Sequence, residues 1–283
     1  MNKTPYILLA MLVAACSSND SIDLAEVEST GSIALATQIS NVVQADITTR
    51  ASGETYQIAD ELVPSVDELA LAIFKKSTDD SYVLYKEYAT INDYNNYNGD
   101  DTPPSLPIGN YMAVASSGDI ELEGETSAYF ADSVNFTIIP SENIGTASLD
   151  VKLANSIVRL NVTDAFNNYF EGGASLTIST EDGASLSLNF PASEDEQIMF
   201  VAPDTNIYLW GTAVKQDPGT GTAPTVTFTK SLIGVAEAGI LNSIVLDASS
   251  TGSSSITVTI NDTITTVGTT TIDVNSGSVT TEN

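Results

Sequence analysis

The chain has 283 residues, with 37 acidic and 9 basic side chains, a formal net charge of −28, 42% hydrophobic residues, one cysteine and no histidine. That charge repels phosphate backbones and sets nucleic acid aside as a partner. Without histidine, neither a Ser-His-Asp or Cys-His nucleophile system nor a histidine-ligated zinc or haem site can be assembled. One cysteine excludes an internal disulfide, and the length suggests two domains of about 100–150 residues, each with enough apolar content for a core.

The N-terminus comes first in the chain and is the most specific segment. Lys3 is followed by an unbroken apolar run over residues 6–15, and Val13, Ala14 and Ala15 directly precede Cys16. This is the charged, apolar and small-residue order of a secretory signal peptide. The run falls short of the roughly 20 residues that span a bilayer. The triplet before cysteine resembles the lipobox of bacterial lipoproteins. That resemblance implies removal of residues 1–15, acylation of Cys16, and a lipid-anchored protein of the outer membrane exposed at the cell surface. Two or three acyl chains hold a protein stably where one holds it only reversibly. Loss of Lys3 leaves 8 basic and 37 acidic residues, a net charge of −29, so the body stands off anionic headgroups. Residues 16–30 then read as a short acidic, lipidated tether that spans about 20 Å if flexible.

From Gly31 onward, apolar residues recur with period two between turn residues, as in Ile33/Leu35/Ile39, Leu69/Leu71/Ile73, Val134/Phe136/Ile138 and Leu149/Val151/Leu153. The same pattern continues in Val158/Leu160/Val162, Leu176/Ile178, Val226/Phe228 and Ile244/Leu246. Period two with β-branched enrichment argues half-buried strands. The expected fold is all-β, two tandem antiparallel β-sandwich domains over residues 31–150 and 151–283, the latter with a loose tail. One short helix is expected near residues 163–172, capped by Thr163 or Asp164 and stopped by Gly172, with Phe166, Tyr169 and Phe170 on one face. Leu106-Pro107-Ile108-Gly109 reads as a proline turn, and Ala202-Pro203-Asp204 as its faint repeat in the second domain.

The segments Gly31 to Leu35, Leu106 to Tyr111, Ala115 to Gly118, Ala128 to Phe130 and Phe136 to Ile138 share a further property with Lys152-Leu153-Ala154-Asn155 and the run to Phe166. Together they resemble a domain-of-unknown-function family of Bacteroidetes lipoproteins related to the fimbrillins, over about residues 30–247. The resemblance implies tandem transthyretin-like β-sandwiches with adhesive or fimbrial roles and no catalytic residues. In polymerising relatives, a protease cuts after an arginine and frees a groove for another subunit's strand. Arg50, one of two arginines, lies after the first expected strand and is the corresponding candidate cleavage site. Residues 254–260 and 269–274 are the candidate donor strands.

Other constellations carry less. Residues 92–101 are rich in oxygen ligands, but counting from Gly99 puts Tyr94 at the first ligand position of an EF-hand, so the spacing fails the calcium motif. Tyr94 and Tyr97, with Tyr82, Tyr85 and Tyr88 nearby, are the candidate surface-contact residues, because exposed tyrosine offers large area at low entropy cost. The acidic groups at residues 79–80, 121–125 and 194–196 show no glycosidase pairing in one dimension. Trp210, the sole tryptophan, lies in the apolar strand 207–210 and is assigned to the core or to inter-domain packing in preference to a sugar platform. No motif calls for a cofactor or a metal, and the chain is read as a non-enzyme. Its expected function is adhesion or contact with a glycan or host protein, with a fimbrial subunit assembling by strand exchange as the alternative.

Overall fold

The computed structural model describes residues 29–45, 55–141, 143–170, 173–181, 185–190, 198–216, 219, 221, 223–248, 256–260, 263–267 and 269–273. Cys16, Arg50 and the acidic run at 194–196 lie outside the described residues. In chain order, the first half contains β1 (Thr30–Gly31), β2 (Ile33–Ile39), β3 (Val42–Ala45), β4 (Thr55–Gln57), β5 (Ala70–Lys76), β6 (Tyr82–Tyr88), helix α1 (Ile91–Asn95), β7 (Leu106–Pro107), β8 (Gly109–Ser117), β9 (Phe130–Ile138) and β10 (Gly145–Leu153). The second half contains β11 (Ser156–Val162), helix α2 (Asp164–Tyr169), β12 (Ala174–Ser179), β13 (Ser185–Phe190), β14 (Ile198–Val201), β15 (Asn206–Val214), β16 (Thr225–Val235), β17 (Ile240–Ala248), β18 (Ile256–Ile260), β19 (Thr263–Val267) and β20 (Thr269–Asp273).

The all-β class follows from these strands. The first half is built on the sheet β2-β10-β9-β8-β5-β6, and the second on β14-β11-β17-β18-β19 and β13-β12-β15-β16-β20. Most pairs are antiparallel, but β2 runs parallel to β10, and both β11 and β3 run parallel to β17. Parallel partners need long crossovers, and here they come from segments far apart in the chain. β3 therefore ties the start of the chain to the second half.

Two apolar clusters form the interior. One gathers Leu69, Leu71, Ile73, Tyr94, Tyr111, Leu149 and Val151, and the other Phe166, Leu176, Ile178, Leu209, Phe228 and Leu246. The strands between them serve both. On β11, Ile157 faces the first cluster and Val158 the second; on β14, Phe200 faces the first while Met199 and Val201 face the second. Leu241 and Ile244 divide β17 in the same way. Burial on both faces gives β14 its unbroken apolar run over Ile198–Val201 in place of alternation.

Polar groups lock this junction. Asn155 is fully buried; its Oδ1 accepts from Tyr129 N at 3.1 Å and its Nδ2 donates to Ser127 O at 2.7 Å. Asn242, also fully buried, accepts from Glu237 N at 2.9 Å and donates to Ile157 O at 3.1 Å. Buried amides with both ends bonded are satisfied rather than costly.

Two local expectations are corrected. Leu106-Pro107 is not a turn: it is extended and pairs with Gly31 and Thr30, because main-chain bonds to a distant segment override local turn preference. Pro203-Asp204 does turn into β15, with Asp204 at φ +60°, so the two segments are not a structural repeat. Helix α2 forms as its cap predicts, with Thr163 Oγ1 accepting from Phe166 N at 3.2 Å and Phe166 and Phe170 buried.

Candidate functional site

Strand β6 is a free edge of the six-stranded sheet, and its ladder with β5 is irregular. Ile73 pairs with Lys86 and Phe74 with Leu84, so Tyr85 is an extra residue. Such a bulge re-aims side chains and twists an edge. Beside it, Val83, Leu84 and Tyr85 are 56%, 48% and 43% exposed. Three consecutive exposed apolar residues on an edge strand are uncommon in a protein with nothing to bind there.

Next to this edge, an open groove is lined by Tyr85, Lys86, Tyr88, Tyr97, Asn98 and the 104–106 segment. Tyr97 is 51% exposed. Lys86 Nζ donates to Tyr97 OH at 3.0 Å and stands 4.1 Å from the Tyr97 ring centroid and 5.0 Å from that of Tyr88. The hydrogen bond and the charge lower the pKa of Tyr97 and raise that of Lys86. The Tyr88 ring meets Tyr97 edge-on at 5.8 Å and Tyr94 edge-on at 5.1 Å. Its hydroxyl is buried, and among the described residues no group meets it in good hydrogen-bond geometry. Burial raises its pKa, so it stays a neutral donor.

Tyr94 departs from expectation. It is fully buried, and its hydroxyl donates to Ile33 O at 2.8 Å. The reason is local: Thr90 caps α1 by accepting from Asp93 N at 3.0 Å, and the helix turns Ile91 and Tyr94 onto one inward face. Desolvation raises the Tyr94 pKa well above the usual tyrosine value. Its neighbour Asn95 takes the N–H and the C=O of Leu35, both at 2.9 Å. The oxygen-rich run at 92–101 thus clamps β2 in place, and of the two tyrosines only Tyr97 reaches the surface. The signal for the helix was Thr90 three residues before Asp93.

The acidic groups have structural work. Asp79 sits in the β5–β6 hairpin, where the Ser77 and Ser81 hydroxyls hold its pKa at about 2. Asp80 pairs with Lys76 at 2.8 Å. Glu123 reaches from the first half to the second, accepting from Thr180 Oγ1 at 2.5 Å and Ala202 N at 3.3 Å, while Gly124 exchanges main-chain bonds with Phe200. Trp210 belongs to neither apolar cluster. It alternates with Leu209 and is half-buried on the outer side of β15. The candidate donor strands are already paired within the chain, β18 between β17 and β19 and β20 against β16.

The fold and its groove define an all-β protein of two linked apolar cores with a tyrosine-rich sheet edge. The chain belongs to the family described as Domain of unknown function (DUF4493), whose model matches residues 29–276. Solved structures give similar chains of low identity. A fimbrial assembly protein from Parabacteroides distasonis ATCC 8503 is 9% identical, with 84% of this chain and 98% of that chain covered and a TM-score of 0.43. A candidate cell-adhesion protein from Bacteroides ovatus ATCC 8483 is 10% identical over 82% and 96%, with a TM-score of 0.38. The fimbrial anchor protein Mfa2 from Porphyromonas gingivalis is 8% identical over 83% and 98%, with a TM-score of 0.34. No curated protein matches.

Proposed function

We propose that this is a non-enzymatic surface module, held to the outer membrane through acylated Cys16, that adheres to a glycan or protein through the groove beside β6. The observation that carries the reading is the run of exposed apolar residues Val83, Leu84 and Tyr85 on the β6 edge, beside the half-exposed Tyr97 ring and the Lys86 ammonium that line the groove. Rigid aromatic area with a few convergent polar groups is the usual make-up of a recognition surface.

The test compares beads coated with the full protein or with its Tyr97→Ala and Lys86→Ala variants for retention on mucin and on matrix-protein surfaces. Retention by the wild type alone supports the groove; equal retention by all three refutes it. Intact mass spectrometry of protein from its own membrane reads acylation of Cys16 directly.

One observation favours the fimbrial alternative. Among the described residues, β2 lies at a sheet edge with β10 as its strand partner. A cut after Arg50 would sever β1, β2 and β3 covalently from the body, after which a strand from another subunit could displace β2 from the β10 edge. The same mass spectrum tests this through loss of residues 16–50.

A further inference from the structure

The outer face of the second half carries a second aromatic surface, independent of the groove. β15 alternates Ile207 and Leu209 inward with Tyr208 and Trp210 outward. Its pairing with β16 is then irregular: Leu209 opposes Ser231 and Gly211 opposes Phe228, so Trp210 faces two residues, Thr229 and Lys230. The extra residue brings Lys230 Nζ to 4.7 Å from the Tyr208 ring centroid and 5.0 Å from that of Trp210. The two rings therefore lie within about 10 Å of each other, under one ammonium. Gly211 fixes this geometry. It sits at φ +141°, and a Cβ there would stand 2.2 Å from Ser175 O.

The rim is polar and prearranged. Glu181 Oε1 accepts from Tyr208 OH at 2.6 Å and from Asn206 Nδ2 at 3.1 Å. Both bonds end on one oxygen, and among the described residues the other takes none. On the far side, Leu232, opposite Tyr208, is 49% exposed. These are two neighbouring ring faces with a donor on one side and an acceptor on the other, on the outward face of the sheet.

We infer that Tyr208, Trp210, Lys230 and Glu181 form a binding platform for a neutral polysaccharide, the pyranose rings stacking on the two aromatic faces. Charge selects the ligand class. Lys230 and Glu181 balance each other locally, while a net charge of −28 repels polyanionic chains and anionic membranes. A sugar has to displace the Lys230 head from the rings. An exposed cation–π contact is worth only about 0.5–1 kcal/mol, and the flexible stem lets the ammonium move aside to donate to a hydroxyl.

Trp210 is the sole tryptophan, so the emission of the intact protein reports this platform and not the groove on the first half. The full chain is titrated to about 10 mM, a ceiling for weak carbohydrate contacts, with cellohexaose, mannohexaose, xylohexaose and maltohexaose, and with oligogalacturonate as the anionic control. A saturable change in Trp210 emission with at least one neutral hexaose is expected. It should weaken about tenfold or more in Tyr208→Ala and in Glu181→Ala, with unchanged far-UV circular dichroism. A Lys86→Ala and Tyr97→Ala double variant should keep the response, which separates this site from the groove. No response to any neutral hexaose, a response to oligogalacturonate alone, or a response untouched by Tyr208→Ala overturns the inference.

Discussion

Phe200 offers a direct test of how the two halves are joined. Its side chain is fully buried in the first cluster, although its neighbours Met199 and Val201 are in the second and its strand belongs to the second half. Phe200→Ala removes an aromatic side chain from a close-packed site, at a cost of about 3–5 kcal/mol. With a urea slope near 3 kcal/mol/M for a chain of this size, the midpoint should fall by about 1–1.7 M. Two probes can be followed in one experiment. The near-UV dichroism of the Tyr88, Tyr94 and Tyr111 cluster reports the first core, and Trp210 emission the β15 sheet whose inner residues Ile207 and Leu209 cover the second. Because β11, β14 and β17 contribute side chains to both, the two signals should move together in the wild type and in the variant. If the tyrosine signal shifts while the Trp210 transition keeps the wild-type midpoint, the cores are energetically separate and the shared-sheet argument fails.

Four further outcomes are expected. Tyr94→Phe should cost about 1 kcal/mol through loss of the bond to Ile33 O. Since the folded state raises this pKa, its contribution is complete below pH 10 and is lost as pH rises beyond it, so alkaline unfolding followed by tyrosinate absorbance should show Tyr94 ionising only with the global transition. Glu123→Ala should lower stability by about 1–3 kcal/mol by leaving the buried Thr180 hydroxyl unpaired, with Glu123→Gln recovering much of the loss in urea melts. The Asp79 carboxyl should titrate by NMR with a midpoint of about 2 and move upward in Ser77→Ala. Its stabilising contribution is present above the ordinary carboxylate range and disappears as pH falls through that midpoint. Trypsin nicking after Arg50 should leave the upstream fragment bound on size exclusion, because seven β2–β10 residue pairs and buried Leu35 and Val43 still hold it; prompt separation would show that the first strands are held only covalently.

Strand parity was the most legible feature of the chain. Leu69, Leu71 and Ile73, and likewise Leu149, Val151 and Leu153, are buried on one face as their spacing requires. Parity became uninformative where a strand has two covered faces. On β11, the period through Val158 is visible in the sequence, but the burial of Ile157 depends on a second core packed behind it. Trp210 was misassigned for a different reason. Residues 207–210 are apolar throughout by composition, and only the alternation of aliphatic Ile207 and Leu209 with aromatic Tyr208 and Trp210 distinguishes the inner from the outer face. Tyr94 could not be placed from periodicity, since the bonds that bury α1 against Ile33 and Leu35 join residues about 60 positions apart.

The geometry also orders the two surfaces relative to the proposed anchor. The described chain starts at Ser29, whose carbonyl accepts from Ile108 N at 3.1 Å, and continues into β1 against Leu106, a residue that lines the tyrosine groove. A tether from Cys16 to this point covers about 20 Å if flexible and about 45 Å fully extended. An acylated Cys16 would therefore hold the start of β1, beside the groove, within about 45 Å of the bilayer. The Trp210 platform lies on the half that carries no tether, beyond the shared strands β11, β14 and β17. A surface for a polysaccharide that arrives from outside is better served there, farther from the anchor than the groove is.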